Sequence, residues 1–162
     1  MDQDGKLANL KNTLHNAKLV KSIEDLKVGT VVYVEMDAND GLVLKDEYKT
    51  RLKYVVVAGT KSNKKEICAV LINSDADFST DPEWKAEQVP LSHQIYPEFL
   101  DYNSWVDCTD PKILMVRKLK SKNAEISGSL TEDDMNVVLD KLKKSDFVDS
   151  HMKKVFGLNK QI

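Results

Sequence analysis

The chain has 162 residues, 41% hydrophobic and 31% charged, with 24 basic against 26 acidic side chains and a net charge of −2. That balance predicts a folded soluble protein and disfavours disorder, which goes with fewer apolar residues and a larger net charge. It also excludes a membrane-spanning class, because no apolar run approaches the roughly 18 residues a span needs, and the opening MDQDGKLANL lacks the apolar core of a secretory signal. A cytoplasmic protein with no global pull toward nucleic acid or anionic membrane is expected.

In chain order, Leu7, Leu10, Leu14 and Ala17 recur at helical spacing and predict an amphipathic helix over 5–21, in an N-terminal extension covering 1–27. Ser22 and Asp25 then read as the cap of a short turn ended by Gly29. From Thr30 the character changes: TVVYVEMD (30–37) is strand-like, AND-G (38–41) a turn, LVLK (42–45) a second short strand and DEYKT (46–50) an exposed polar loop. KYVVVAG (53–59) is continuous enough to be buried on both faces, and SNKKE (62–66) turns it into ICAVLIN (67–73) as a hairpin. Residues 75–92 are acidic and contain Pro82 and Pro90, which predicts a long loop with at most one helical turn. SHQIY (92–96), SWVDC (104–108) and KILMVRKL (112–119) supply the last strands, with Pro97 and Pro111 as breakers.

The tail reads as helical. Thr131 with Asp134 makes a capping-box-like start, Glu132 and Asp133 suit the positive end of the helix dipole, and Met135, Val138, Leu139 and Leu142 form its apolar face. A second helix is expected from about Asp146 to Phe156, stopped by Gly157. Strands in runs without alternating helices make the class α+β, mainly β: a small, strongly bent antiparallel sheet or barrel with helices at both chain ends.

Motifs for phosphate-cradling glycine loops, serine hydrolases and zinc proteases are absent from the sequence. Cys68 and Cys108 each stand alone in an apolar run, so buried thiols in a reducing compartment are expected rather than zinc or a disulfide, and neither metal nor cofactor is implied. Of His15, His93 and His151, only His93 merits consideration as a general base; its bland reading is an ordinary strand-end histidine. The informative residue is Arg51, one of two arginines in the chain, at the mouth of the central strand after a polar loop. Its planar fork matches phosphate as lysine does not, while the competing reading is a surface salt bridge to Asp46 or Glu47. Arg117 lies in the basic stretch 112–122, where a solvated face is the simpler account.

The order of these features resembles the MazF/PemK toxin family. Gly29-Thr-Val-Val-Tyr-Val-Glu-Met-Asp is similar to that family's opening G-D-V-(x)-x-V-x-(hydrophobic)-D strand, and Arg51-Leu-Lys-Tyr-Val-Val-Val occupies the place of its R-P-x-(L)-V-V-(hydrophobic) strand. Ile67-Cys-Ala-Val-Leu-Ile-Asn-Ser resembles the next strand, which ends in Thr or Ser, and Ser104-Trp-Val-Asp-Cys its S-x-V-x-C strand. Gly128-Ser-Leu-Thr-Glu-Asp-Asp-Met resembles the G-x-L-(S/T)-x-E-(D/E)-M that opens the final helix. The resemblance covers about 28–145, a barrel domain with its final helix, and leaves 146–162 as a short helical tail.

The resemblance implies an SH3-like barrel, commonly a homodimer, that cleaves single-stranded RNA sequence-selectively without a metal and is neutralised by an antitoxin protein. In that chemistry the ribose 2′-OH attacks the adjacent phosphodiester, leaving a cyclic phosphate and a 5′-OH. Residue by residue, Arg51 matches the catalytic Arg, as phosphate clamp and proton donor. Asn73 falls at the family's Thr position, and Ser74 is the next available hydroxyl. Tyr48 and Lys49 would stack on a base and hold a phosphate, with Lys53, Arg117 and Lys118 as further RNA-binding cations. The departures are Leu52 in place of Pro, no G-x-E-Q segment in the first long loop, Asn73 in place of Thr, and Thr-Asp-Pro after Cys108. They open an alternative: a catalytically silent barrel that binds a protein or nucleic acid through the basic stretch and the terminal helices. The ribonuclease reading requires Arg51 and Ser74 to share one shallow groove. The helix over 5–21 would then occlude that groove or make a dimer contact.

Overall fold

The computed structural model describes residues 18–42, 44, 49–74 and 81–159. Most of the expected N-terminal helix therefore lies outside the described residues. Among the described residues seven strands follow in chain order: β1 (Thr30–Asp37), β2 (Thr50–Thr60), β3 (Glu66–Asn73), β4 (Gln88–Leu91), β5 (Ser104–Asp107), β6 (Lys112–Met115) and β7 (Glu125–Ser129). Among the described residues four α-helices accompany them: α1 (Pro82–Ala86), α2 (Val116–Ser121), α3 (Glu132–Lys144) and α4 (Ser150–Val155). The mainly-β α+β class read from the sequence is the one observed.

The strands form one antiparallel sheet in the order β4-β5-β3-β2-β1-β7. One edge of β3 carries β2, and the other is shared, with β6 opposite Glu66–Ala69 and β5 opposite Ile72 and Asn73. Register shifts at Val57/Gly59 on β2 and Val31/Val32 on β1 bend the sheet.

Alternation along β2 divides its side chains between two cores, as the continuous apolar run predicted. Val56 and Ala58 join Val31, Val70 and Ile72 beneath α3 and the chain's C-terminal segment, where Val138, Leu142 and Phe156 are buried. Val55 and Val57 join Val32, Met36, Ala69 and Leu119 on the opposite face. The α3 helix starts as its sequence requires, with Thr131 accepting the Asp134 N–H at 3.2 Å.

Several expected elements differ. Residues 92–96 form turns, and the strand lies one step earlier at Gln88–Leu91. Pro90 is tolerated there because β4 is at the sheet edge, where a missing N–H breaks no ladder. The KILMVRKL strand stops at Met115: Lys112 and Leu114 are buried in alternation, then Val116 and Leu119 are buried at helical spacing in α2. Leu42 and Leu44 lie outside any strand. Lys18–Lys21, expected as the end of a helix, are extended: Leu19 bridges Glu125, and the Val20 N–H reaches the Ala124 carbonyl at 2.9 Å. Strand β7 was not anticipated, since EISGS lacks β-branched density and owes its conformation to pairing with β1. The last helix begins at Ser150, not Asp146, because the Asp149 carboxylate caps the His151 N–H at 3.2 Å.

Candidate functional site

Strand β2 begins before its neighbour β3 ends. Tyr54 pairs with Ile72, so the stretch Arg51–Lys53 lies at and beyond the end of β3 and, among the described residues, pairs along its length only with Met36, Glu35 and Val34 of β1. This overhang opens a groove of about 200 Å³. Arg51, Lys53 and Ser74 line it, and Asp101, Tyr102 and Ser104 line it from the segment leading into β5. Arg51 and Ser74 thus border the same cleft, both exposed.

The opposite wall is fixed by an aromatic series and a hydroxyl. Tyr33 and Tyr54, paired across β1 and β2, stack with centroids 4.4 Å apart, and Tyr54 meets Phe99 at 5.8 Å. Tyr96 packs on Phe99 at 5.4 Å, while its hydroxyl accepts the Thr131 N–H at 3.0 Å and donates to the Asp134 carboxylate. The wall is thereby tied to the start of α3.

Lys53 is half-buried, and its ammonium donates to Asn73 Oδ1 at 2.6 Å. Burial and the adjacent Arg51 charge hold its pKa down to about 8, opposed by Asp107. Asp107 is itself occupied, accepting from Gln88 Nε2 at 2.8 Å and from the Thr109 hydroxyl at 2.6 Å through one oxygen. Among the described residues, neither Arg51 nor Lys53 forms an ion pair. The alternative partners of Arg51, Asp46 and Glu47, lie outside the described residues, as does Tyr48.

The remaining sequence candidates are scattered. Lys49 is exposed just before β2 and does not line the groove. Arg117 borders a different hollow of about 360 Å³ with Lys64, Lys65 and Lys120, beside the β2–β3 turn. That is the far end of β2, roughly 30 Å from Arg51 at the rise of a strand. Lys118 clamps the turn after β1, its ammonium 2.7 Å from Asp40 Oδ1 and 3.2 Å from Asp37 Oδ1. The hydrogen bond from Lys118 is the leading reason that the Asp37 carboxyl titrates below its ordinary range. His93 sits in a turn, its backbone N–H on Asn103 Oδ1 at 3.1 Å, and it does not line the groove.

Sequence reasoning missed Asp101, Tyr102 and Ser104. The one available signal was a tyrosine in a polar turn, Asp-Tyr-Asn at 101–103, and Tyr102 is 70% exposed. Both cysteines are fully buried, and desolvation pushes the Cys68 thiol up to about 12 and the Cys108 thiol upward as well. Among the described residues no group of three or more His, Cys, Asp or Glu side chains stands together to hold a metal, and no helix is long and apolar enough to cross a membrane.

No protein-family model matches the chain. No curated protein matches it in sequence. Among solved structures it is similar to a MazE–MazF complex from Deinococcus radiodurans, at 13% identity and a TM-score of 0.48, over 72% of this chain and 91% of that one.

Proposed function

We propose that the groove at the open end of β2 binds and cleaves single-stranded RNA. The observation that carries the reading is the convergence of Arg51, Lys53 and Ser74 on one groove, with the exposed Tyr102 ring on its rim. Arg51, free of ion pairs among the described residues, supplies positive charge for a phosphodiester, and an exposed ring offers a base a stacking face. The order of sequence features shared with the MazF/PemK toxins supports the same reaction, along with a homodimer, an antitoxin partner and a cytoplasmic setting.

In this reading Arg51 clamps the scissile phosphate and stabilises the charge that accumulates on the phosphorane oxygens. Ser74 supplies a hydroxyl beside it. Asn73, at the position of the family's Thr, cannot relay a proton; its oxygen takes the Lys53 hydrogen bond instead. Tyr102 offers a base a stacking face in the groove, and Lys49 meets RNA outside it.

The test is incubation of the protein with a long single-stranded RNA and mapping of fragment ends. Discrete cuts with cyclic-phosphate and 5′-OH ends are expected, with Arg51→Ala slower by at least about 100-fold. Intact RNA with the folded wild-type protein overturns the reading. A second reading, a catalytically silent barrel, is favoured by one observation: Arg117 is gathered with Lys64, Lys65 and Lys120 far from the groove. RNA retained on the protein but uncut, and released by Arg117→Glu, would support it.

A further inference from the structure

We propose that Lys53 is the proton-transfer residue beside Arg51 at the mouth of β2, accepting the ribose 2′-OH proton, with Asn73 as the residue that positions its amine; this rests on the RNA-cleavage reading above. A metal-independent attack by a 2′-OH needs a group that is neutral often enough to take a proton and lies close to the phosphate clamp. Arg51 is a poor candidate because a guanidinium stays protonated. Ser74 is no stronger a base than the hydroxyl it would have to deprotonate.

Lys53 has the required surroundings. Its side chain is half-buried on β2, two residues from Arg51, and its Nζ is held at 2.6 Å by Asn73 Oδ1 across the β2–β3 pair. The groups that act on it are Arg51, which shares its face of β2, and Asp107 on β5; Tyr54, the next residue on the strand, points to the other face, against Phe99. Asp107 is committed to Gln88 and Thr109. Burial and the Arg51 charge outweigh Asp107 and hold the amine down to about 8. At pH 7 about a tenth of such amines are neutral, against fewer than about one in a thousand for an ordinary lysine.

The step balances without a metal. The neutral Lys53 amine takes the 2′-OH proton and becomes an ammonium as the 2′-oxygen bonds to phosphorus. The P–O5′ bond breaks, and the 5′-oxygen takes a proton from water entering the open groove. The resulting hydroxide recovers the proton from Lys53. Arg51 keeps its charge on the phosphate throughout.

Two measurements on the full chain test this. NMR titration of isotope-labelled lysine side chains, without RNA, should give Lys53 a midpoint near 8 that rises in Arg51→Ala and falls in Asn73→Ala, which removes the acceptor that stabilises the charged form. A midpoint near the usual 10.5 overturns the proposal. With RNA, the wild-type cleavage rate should climb as pH rises through 8 and then level off. Lys53→Arg, which keeps the charge but has no neutral form, should lose at least about 100-fold and show no climb in that range. Cleavage by Lys53→Arg with the wild-type rate and profile overturns the role of Lys53 and leaves the RNA reading standing. Intact RNA with the wild-type protein overturns the RNA reading, and the role of Lys53 with it.

Discussion

At the scale of single residues, the groove places a cost where its chemistry would be. A lysine with a folded-state pKa near 8 is less easily protonated folded than unfolded, where it titrates near 10.5. Protonation of Lys53 therefore opposes folding below pH 8, and the penalty is relieved as pH rises from 8 to about 10.5. Lys53→Met should be more stable than the wild type at pH 7, by about 1 kcal/mol once solvent screening of a half-exposed group is allowed for, with the difference shrinking toward pH 10.5. Urea unfolding at the two pH values checks both sign and trend. The chain offers a contrast in Lys118, whose two aspartates raise its pKa and make it a clamp rather than a base.

At the scale of elements, β2 joins both cores and also bears the groove, and its geometry depends on one glycine. A Cβ added at Gly59 would lie 2.3 Å from the Phe156 carbonyl oxygen, where α4 ends against the sheet. Gly59 also sits at the register shift between β2 and β3, so neither backbone can yield without moving a strand or a helix end. Gly59→Ala should cost about 2 kcal/mol, read as a lower denaturation midpoint with an unchanged slope. Where local pattern and tertiary demand agree, the element was legible: β1 has the bounds that TVVYVEMD suggested, and Thr131 caps α3. Where they conflict, it was not. KILMVRKL reads as one β-rich run, yet Val116 and Leu119 reach the same core only by turning helical. EISGS reads as loop, and only its partner makes it a strand.

At the scale of the whole molecule, the groove is assembled from parts remote in sequence: the mouth of β2, the end of β3, and the segment before β5. Tyr96 holds the third part in place through Thr131 and Asp134, 35 and 38 residues away. Tyr96→Phe removes the acceptor for the Thr131 N–H and the donor to Asp134, and should destabilise by about 1–2 kcal/mol. Hydrogen exchange should also quicken at residues 99–103, the wall of the groove, whereas a purely local loss would leave those amides unchanged.

The sequence by itself determined the class of the fold, the two-faced burial of the central strand and the suspicion attached to Arg51. These follow from side-chain volume, alternation and charge, which act between near neighbours in the chain. Tertiary structure alone decided which residues stand beside Arg51. It brought in Asp101 and Tyr102, sent Arg117 to the far end of β2 and set Lys118 against two aspartates. Strand register and the course of the 92–103 segment fix those distances. Both depend on pairings across the sheet, for which a linear pattern of apolar and polar residues holds no record of partner.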